Sequence, residues 1–135
     1  MTKEEKNILL KDLCARLQYK PHCRVFKLNE DIKENDDVLY GVIGDNVITL
    51  KSDEDECLMY YQIKPYLRPM NSITKDEEKE LGNYLSTEVF LSIDGLHSVL
   101  RAQRHTSNFL YSRHLDVLGL IEKGLAIEAP EGMYN

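Results

Sequence analysis

Cysteine is scarce in this chain, and what there is forms no pattern. Cys14, Cys23 and Cys57 are far apart, odd in number and without a Cys-x-x-Cys pair. That spacing excludes a disulfide framework and a structural zinc set. The three read as reduced, mostly buried thiols of a cytoplasmic protein. No apolar run reaches the roughly 20 residues that a bilayer-spanning helix needs. Met1 to Lys6 is charged and leads into no signal-peptide core, so neither membrane spanning nor Sec-type secretion is expected. Basic residues are also in deficit: 17 Lys and Arg stand against 23 Asp and Glu, a net charge of −6. An acidic chain repels nucleic acid on average, which leaves a local basic patch as the only route to DNA or RNA. Gly-x-Ser-x-Gly, a phosphate-cradling glycine loop and His-Glu-x-x-His are all missing. There is no internal repeat and no low-complexity tract.

Enough apolar material remains for a core. Leu, Ile, Val and Phe make up 38 of the 135 residues, well above the roughly 20% below which chains stay disordered. The length fits one domain over 1–135.

The local signals change period once along the chain. Thr2 and Glu5 form a capping box that opens a helix over 2–18, with Leu9, Leu10, Leu13, Cys14 and Leu17 as its apolar stripe. Lys3, Lys6, Lys11 and Arg16 lie mainly off that stripe, and Pro21 follows the end. Strand patterns then appear at 22–28, 38–43, 47–50 and 57–63. Gly44-Asp45-Asn46 suits the tight turn of a hairpin between the second and third. The stretches 29–37 and 53–56 are acidic and read as loops. Lys64 to Met70 contains Pro65 and Pro69 and reads as a connector. A second capping box, Thr74 with Glu77, opens a helix to about Ser86. Ser92 or Asp94 caps a third helix that ends near Arg104, with 105–111 as a loop. Asp116 and Gly124 bracket a last short helix, and the tail from Leu125 is extended. The expected fold is therefore α+β: an N-terminal helix, a small four-stranded antiparallel sheet or partly closed barrel within 22–63, and C-terminal helices within 74–124.

The most unusual stretch runs from His97 to His114 and contains no acidic residue. Arg101, Arg104, His105, Tyr111, Arg113 and His114 are its candidate nucleic-acid or partner-binding residues. The cations would contact phosphates while Phe109 and Tyr111 stack on bases. The competing reading pairs the arginines with nearby acids and packs the aromatics in the core. No metal site is expected, because His97, His105 and His114 are widely spaced and no carboxylate lies between them. Asp36-Asp37 and Asp53 to Glu56 lack the alternating ligands and glycine of a calcium loop, and read as solvated turns. Asp94 and His97 have no accompanying nucleophile, and no cofactor is expected. Tyr60 and Tyr61, as strand neighbours, should point to opposite faces, one inward and one to solvent or a partner.

Three segments carry a resemblance. They are Leu10-Lys11-Asp12-Leu13-Cys14-Ala15-Arg16-Leu17, Lys64-Pro65-Tyr66-Leu67-Arg68-Pro69-Met70, and the run from Gly119 through Gly124 and Pro130 to Tyr134. Together they resemble a family of small proteins, without an assigned function, from Bacteroidetes gut bacteria and their prophages and mobile elements. The resemblance implies a bacterial or phage cytoplasmic context. It implies no activity, and no residue role comes with it. With the acidic balance and the missing catalytic motifs, it favours a non-enzymatic interaction module acting on a host protein. The alternatives are weak nucleic-acid binding through residues 97–114, and a small hydrolase or nucleotide-binding protein.

Overall fold

The computed structural model describes residues 1–26, 35–50, 58–82 and 95–134, with side chains in the last span from residue 103 onward. The class is α+β. Helix α1 (Lys3–Arg16) is followed by β1 (His22–Val25), β2 (Asn35–Ile43), β3 (Asn46–Thr49), β4 (Leu58–Met59) and β5 (Ile63–Leu67). Helix α2 covers residues 75–82, then come α3 (Gly95–Ser112) and β6 (Ile127–Glu128). Among the described residues the sheet has six strands in the order β4-β3-β2-β1-β5-β6, antiparallel except for the β5–β6 pair. It is an open sheet with two edges, larger than the four strands expected and not closed into a barrel.

Both hydrogen bonds of the first capping box are made: Glu5 N–H donates to Thr2 Oγ1 (3.1 Å) and Thr2 N–H to Glu5 Oε2 (2.7 Å). Leu9 and Leu13 of α1 are fully buried on one face of the sheet, against Cys23, Val25, Leu39, Val47, Ile63 and Leu67. Two expectations for this helix are corrected. Cys14 is exposed. Arg16, placed off the apolar stripe, is fully buried, because Asp12 one turn earlier is buried beside it and neutralises it.

The hairpin forms with Gly44 and Asp45 as its two turn residues, since Ile43 pairs with Asn46. Gly44 alone takes positive φ (+60°), the requirement of the first central position of a type II′ turn. Asp36 and Asp37 are not in a turn: they lie in β2, and Asp37 is buried. Tyr60 and Tyr61 are not strand neighbours, because a 3₁₀ turn (Tyr60–Gln62) separates β4 from β5. Tyr60 is buried, and Tyr61 packs on the core with Lys6 over its ring at 4.6 Å.

The Lys64–Met70 connector is also corrected, since its first half is β5, an inner strand. Pro65 is tolerated there by register. Phe26 N–H donates to Gln62 O (2.7 Å), and hydrogen-bonded pairs alternate along an antiparallel ladder. Cys23 and Pro65 therefore form a non-hydrogen-bonded pair, so the proline lacks no bond to β1. Pairing with β6 begins only at Tyr66.

Helix α3 runs unbroken through Arg104 to Ser112, where a helix end and a loop were expected. Thr106, Ser107 and Asn108 are poor helix formers, but burial recurs at His105, Thr106, Phe109 and Leu110 while Gln103, Arg104, Ser107 and Asn108 are exposed. That is the i, i+4 rhythm of a packed helix face, and packing overrides weak propensity. The expected last helix does not form; the segment is a turn, and Asp116 closes it across a longer span than an N-cap would. The Asp116 carboxylate accepts from Leu120 and Ile121 N–H (2.7 and 3.1 Å), and Gly124 takes φ +73°. The acidic run 53–56, Cys57, the expected caps Ser92 and Asp94 and the far end of the second helix lie outside the described residues.

Candidate functional site

The sheet and helices leave a cleft of about 1000 Å³ between the end of α1, the start of α2, the end of α3 and the C-terminal tail. The start of α2 is built by the second capping box. Glu77 N–H donates to Thr74 Oγ1 and Thr74 N–H to Glu77 Oε1, both at 3.1 Å. The same carboxylate takes two bonds from Arg68, at 2.7 and 3.0 Å. The bidentate Arg68 guanidinium holds the Glu77 carboxyl down to about 2. Arg68 reaches this position from the end of β5, where its own N–H donates to His114 O (2.8 Å) and its carbonyl accepts from Asp116 N–H (2.8 Å).

Helix α3 ends at the cleft in a Schellman motif. His114 N–H bonds to Tyr111 O and Leu115 N–H to Leu110 O, both at 3.0 Å. The left-handed residue of that motif is usually glycine; here it is His114, at φ +60°. Its ring stacks on Tyr134, with centroids 3.7 Å apart and planes 11° apart. Burial lowers the imidazole to about 4, with the charges of Arg16, His22 and Arg68 acting in the same direction.

Tyr134 enters the sheet itself. Continuing the β1–β5 ladder, His22 and Tyr66 would be the next hydrogen-bonded pair after Arg24 and Lys64. The phenol oxygen stands between them instead. It accepts from His22 N–H (2.9 Å) and donates to Tyr66 O (2.7 Å). One tail hydroxyl thus bridges two strands, and the tail becomes a wall of the cleft.

The sequence candidates are dispersed. Arg104 and Arg113 are nine residues apart, two and a half helical turns, which sets them on opposite faces of α3. Arg113 is paired with Glu80 (3.0 Å) and lies 3.9 Å from Glu77. Arg104 is exposed and has no ion pair among the described residues, while His105 is half-buried. Tyr111 is not a stacking platform: it is half-buried with the Arg16 guanidinium over its ring at 4.8 Å. Arg101 lies in α3, with its side chain outside the described residues. Of the candidates whose side chains are described, only Arg113 and His114 line the cleft. Among the described residues no group of three metal-ligating side chains converges.

Most of the residues that dominate the cleft carry no motif in the sequence. Among the described residues, Asp76, Glu77, Glu80, Glu128 and Glu131 face Lys20, Arg68 and Arg113, five carboxylates against three cations. Arg68 and Arg113 are held by Glu77 and Glu80, so Asp76, Glu128 and Glu131 remain without an ion pair among the described residues. Of the carboxylates, Glu77 carried a signal in its capping box and Asp76 in its place in the first helical turn, and the others carried none. The hydroxyls of Ser72 and Ser112 donate to the carbonyls of Pro69 and Phe109, so neither is paired with His114 as a nucleophile with a base.

Comparison with known proteins returns no family model, no curated protein and no solved structure that matches this chain. Among the described residues, no helix is long and apolar enough to cross a membrane.

Proposed function

We propose that this chain is a non-enzymatic binding module whose acid-lined cleft receives a basic segment of a partner protein. The observation that carries the reading is the charge balance of the cleft, where two of three cations are consumed internally and three carboxylates are left over. A partner bearing Lys or Arg finds charge-assisted acceptors there. The net charge of −6 steers such a partner from a distance. The resemblance of the chain's ends to proteins of bacterial mobile elements supports a host protein as the target, with its nucleic-acid-binding surface as the basic segment. The 97–114 reading is less favoured, because Arg113 is paired with Glu80 and lies on a different face from Arg104.

The test is fluorescence anisotropy with a labelled hexapeptide of alternating Lys and Arg. The wild-type chain should bind it, and binding should weaken as salt rises. The double variant Glu128→Lys/Glu131→Lys should lose at least tenfold in affinity, and a single-stranded DNA oligonucleotide should not bind. Equal affinity in wild type and variant, or tighter binding of the oligonucleotide than of the peptide, overturns the proposal.

A further inference from the structure

A second surface lies at the rim of the cleft, on the outer face of the β2–β3 hairpin. Val47 and Thr49 point into the core, so Ile48 and Leu50 alternate to the other side. On β2 the pairing shifts between Leu39 and Gly41, a bulge that leaves Tyr40 and Gly41 both facing outward. A Cβ on Gly41 would meet the Ile48 side chain at 3.6 Å, which places the two on the same face. Val42 then packs inward and Ile43 outward. Tyr40, Ile43, Ile48 and Leu50 are 49, 67, 44 and 62% exposed. Four large apolar side chains on one sheet face form an apolar patch, and the largest such patch on a protein is often a binding surface.

The face joins the cleft through one residue. Lys20 lines the cleft, and its ammonium lies 4.6 Å from the Tyr40 ring centre and 3.2 Å from the Tyr40 hydroxyl. From Tyr40 to Ile43 the strand runs about 10 Å, the length of about four residues of an extended partner, whose alternate side chains would face the sheet. The patch is on the order of a few hundred Å², short of the roughly 800 Å² per partner that a stable interface buries. It is therefore suited to be one part of a larger contact rather than the seam of a dimer of two chains each at −6.

We infer that the segment bound in the cleft continues across Lys20 and Tyr40 and lays apolar side chains on Ile43, Ile48 and Leu50. This rests on the cleft reading above and specifies its ligand: a protein segment with a basic block adjoining an apolar one. At the crossing, a carbonyl or carboxylate of the segment accepts from Lys20 Nζ.

The experiment compares the Lys/Arg hexapeptide with the same hexapeptide carrying a Leu-Ile-Phe-Leu block at either end. In anisotropy at fixed salt, one extended peptide should bind wild type at least tenfold more tightly than the hexapeptide. That gain should vanish in Ile43→Ser/Leu50→Ser, with hexapeptide affinity unchanged. Ile48→Thr, which keeps strand propensity, should lose part of the gain. Hexapeptide binding without a gain, or a gain that survives in both hairpin variants, overturns this inference and leaves the cleft reading standing. No hexapeptide binding to wild type overturns both. A free chain that sediments as a dimer, and as a monomer once Ile43 and Leu50 are replaced, assigns the face to a second copy and overturns the inference as well.

Discussion

Tyr134→Phe isolates the hydroxyl that bridges β1 and β5. The substitution keeps the ring, its stack on His114 and its edge contact with His22 at 5.3 Å. It removes one oxygen. His22 N–H loses its acceptor at 2.9 Å and Tyr66 C=O loses its donor at 2.7 Å. A buried polar group left unsatisfied costs about 1–3 kcal/mol. Both backbone groups here are part-buried, and water can reach them once the strands part. Solvent therefore recovers much of each loss, and the two together should cost about 1–2 kcal/mol. For a chain of this length each kcal/mol moves the melting temperature by roughly 3–5 °C, so Tyr134→Phe should melt roughly 3–10 °C below wild type. Thermal denaturation followed by circular dichroism measures this, with Tyr134→Ala as the companion that also loses the stack and melts lower still. The reasoning is refuted if Tyr134→Phe melts within 1 °C of wild type. In that case His22 N–H and Tyr66 O close on each other directly, and the phenol only occupies a gap the ladder can seal alone.

The buried Asp12–Arg16 pair makes a second prediction. Arg16 Nε and Nη2 meet the carboxylate at 2.7 and 3.0 Å, Nη2 also bonds to Leu115 O at 2.6 Å, and both side chains are inaccessible to solvent. Asp12→Ala strands a buried guanidinium and should cost about 3–5 kcal/mol in urea unfolding, while Asp12→Leu/Arg16→Met should cost far less; a double variant as unstable as the single would show that the charge was not the cause. Acid stability supplies a third. The folded chain holds His114 at about 4 against 6.5 for a free imidazole, so between those values only the unfolded chain takes up this proton. The His114 contribution to stability therefore falls as pH drops from 6.5 to 4 and is constant above. Glu77, held at about 2 against 4.5, adds a loss in the same direction over the window below. Replacing His114 by Asn, which tolerates positive φ, should flatten the change in urea midpoint between pH 7 and 4.5, and an unchanged slope would assign the effect elsewhere.

Local chemistry alone determined much of this protein. Thr2 with Glu5, Thr74 with Glu77, the Gly44 turn, and Asp116 with Gly124 each act through neighbours within a few residues, so each could be read from spacing. The α+β class followed from the change of hydrophobic period after Pro21. Tertiary structure decided the rest, because it pairs residues whose distance along the chain says nothing of their distance in space. Asp12 and Arg16 had the i, i+4 spacing of an exposed pair; only docking of the α3 end over α1 made them a core element. The run 105–111 read as a loop, and packing of His105, Phe109 and Leu110 made it helix. Pro65 marked a break, and the alternation of bonds with β1 made it harmless. Tyr134 joins strands more than sixty residues away from it, a contact with no local signature. The cleft is of the same kind: its carboxylates come from α2 and the tail, and they form one charged surface only where the fold brings those segments together.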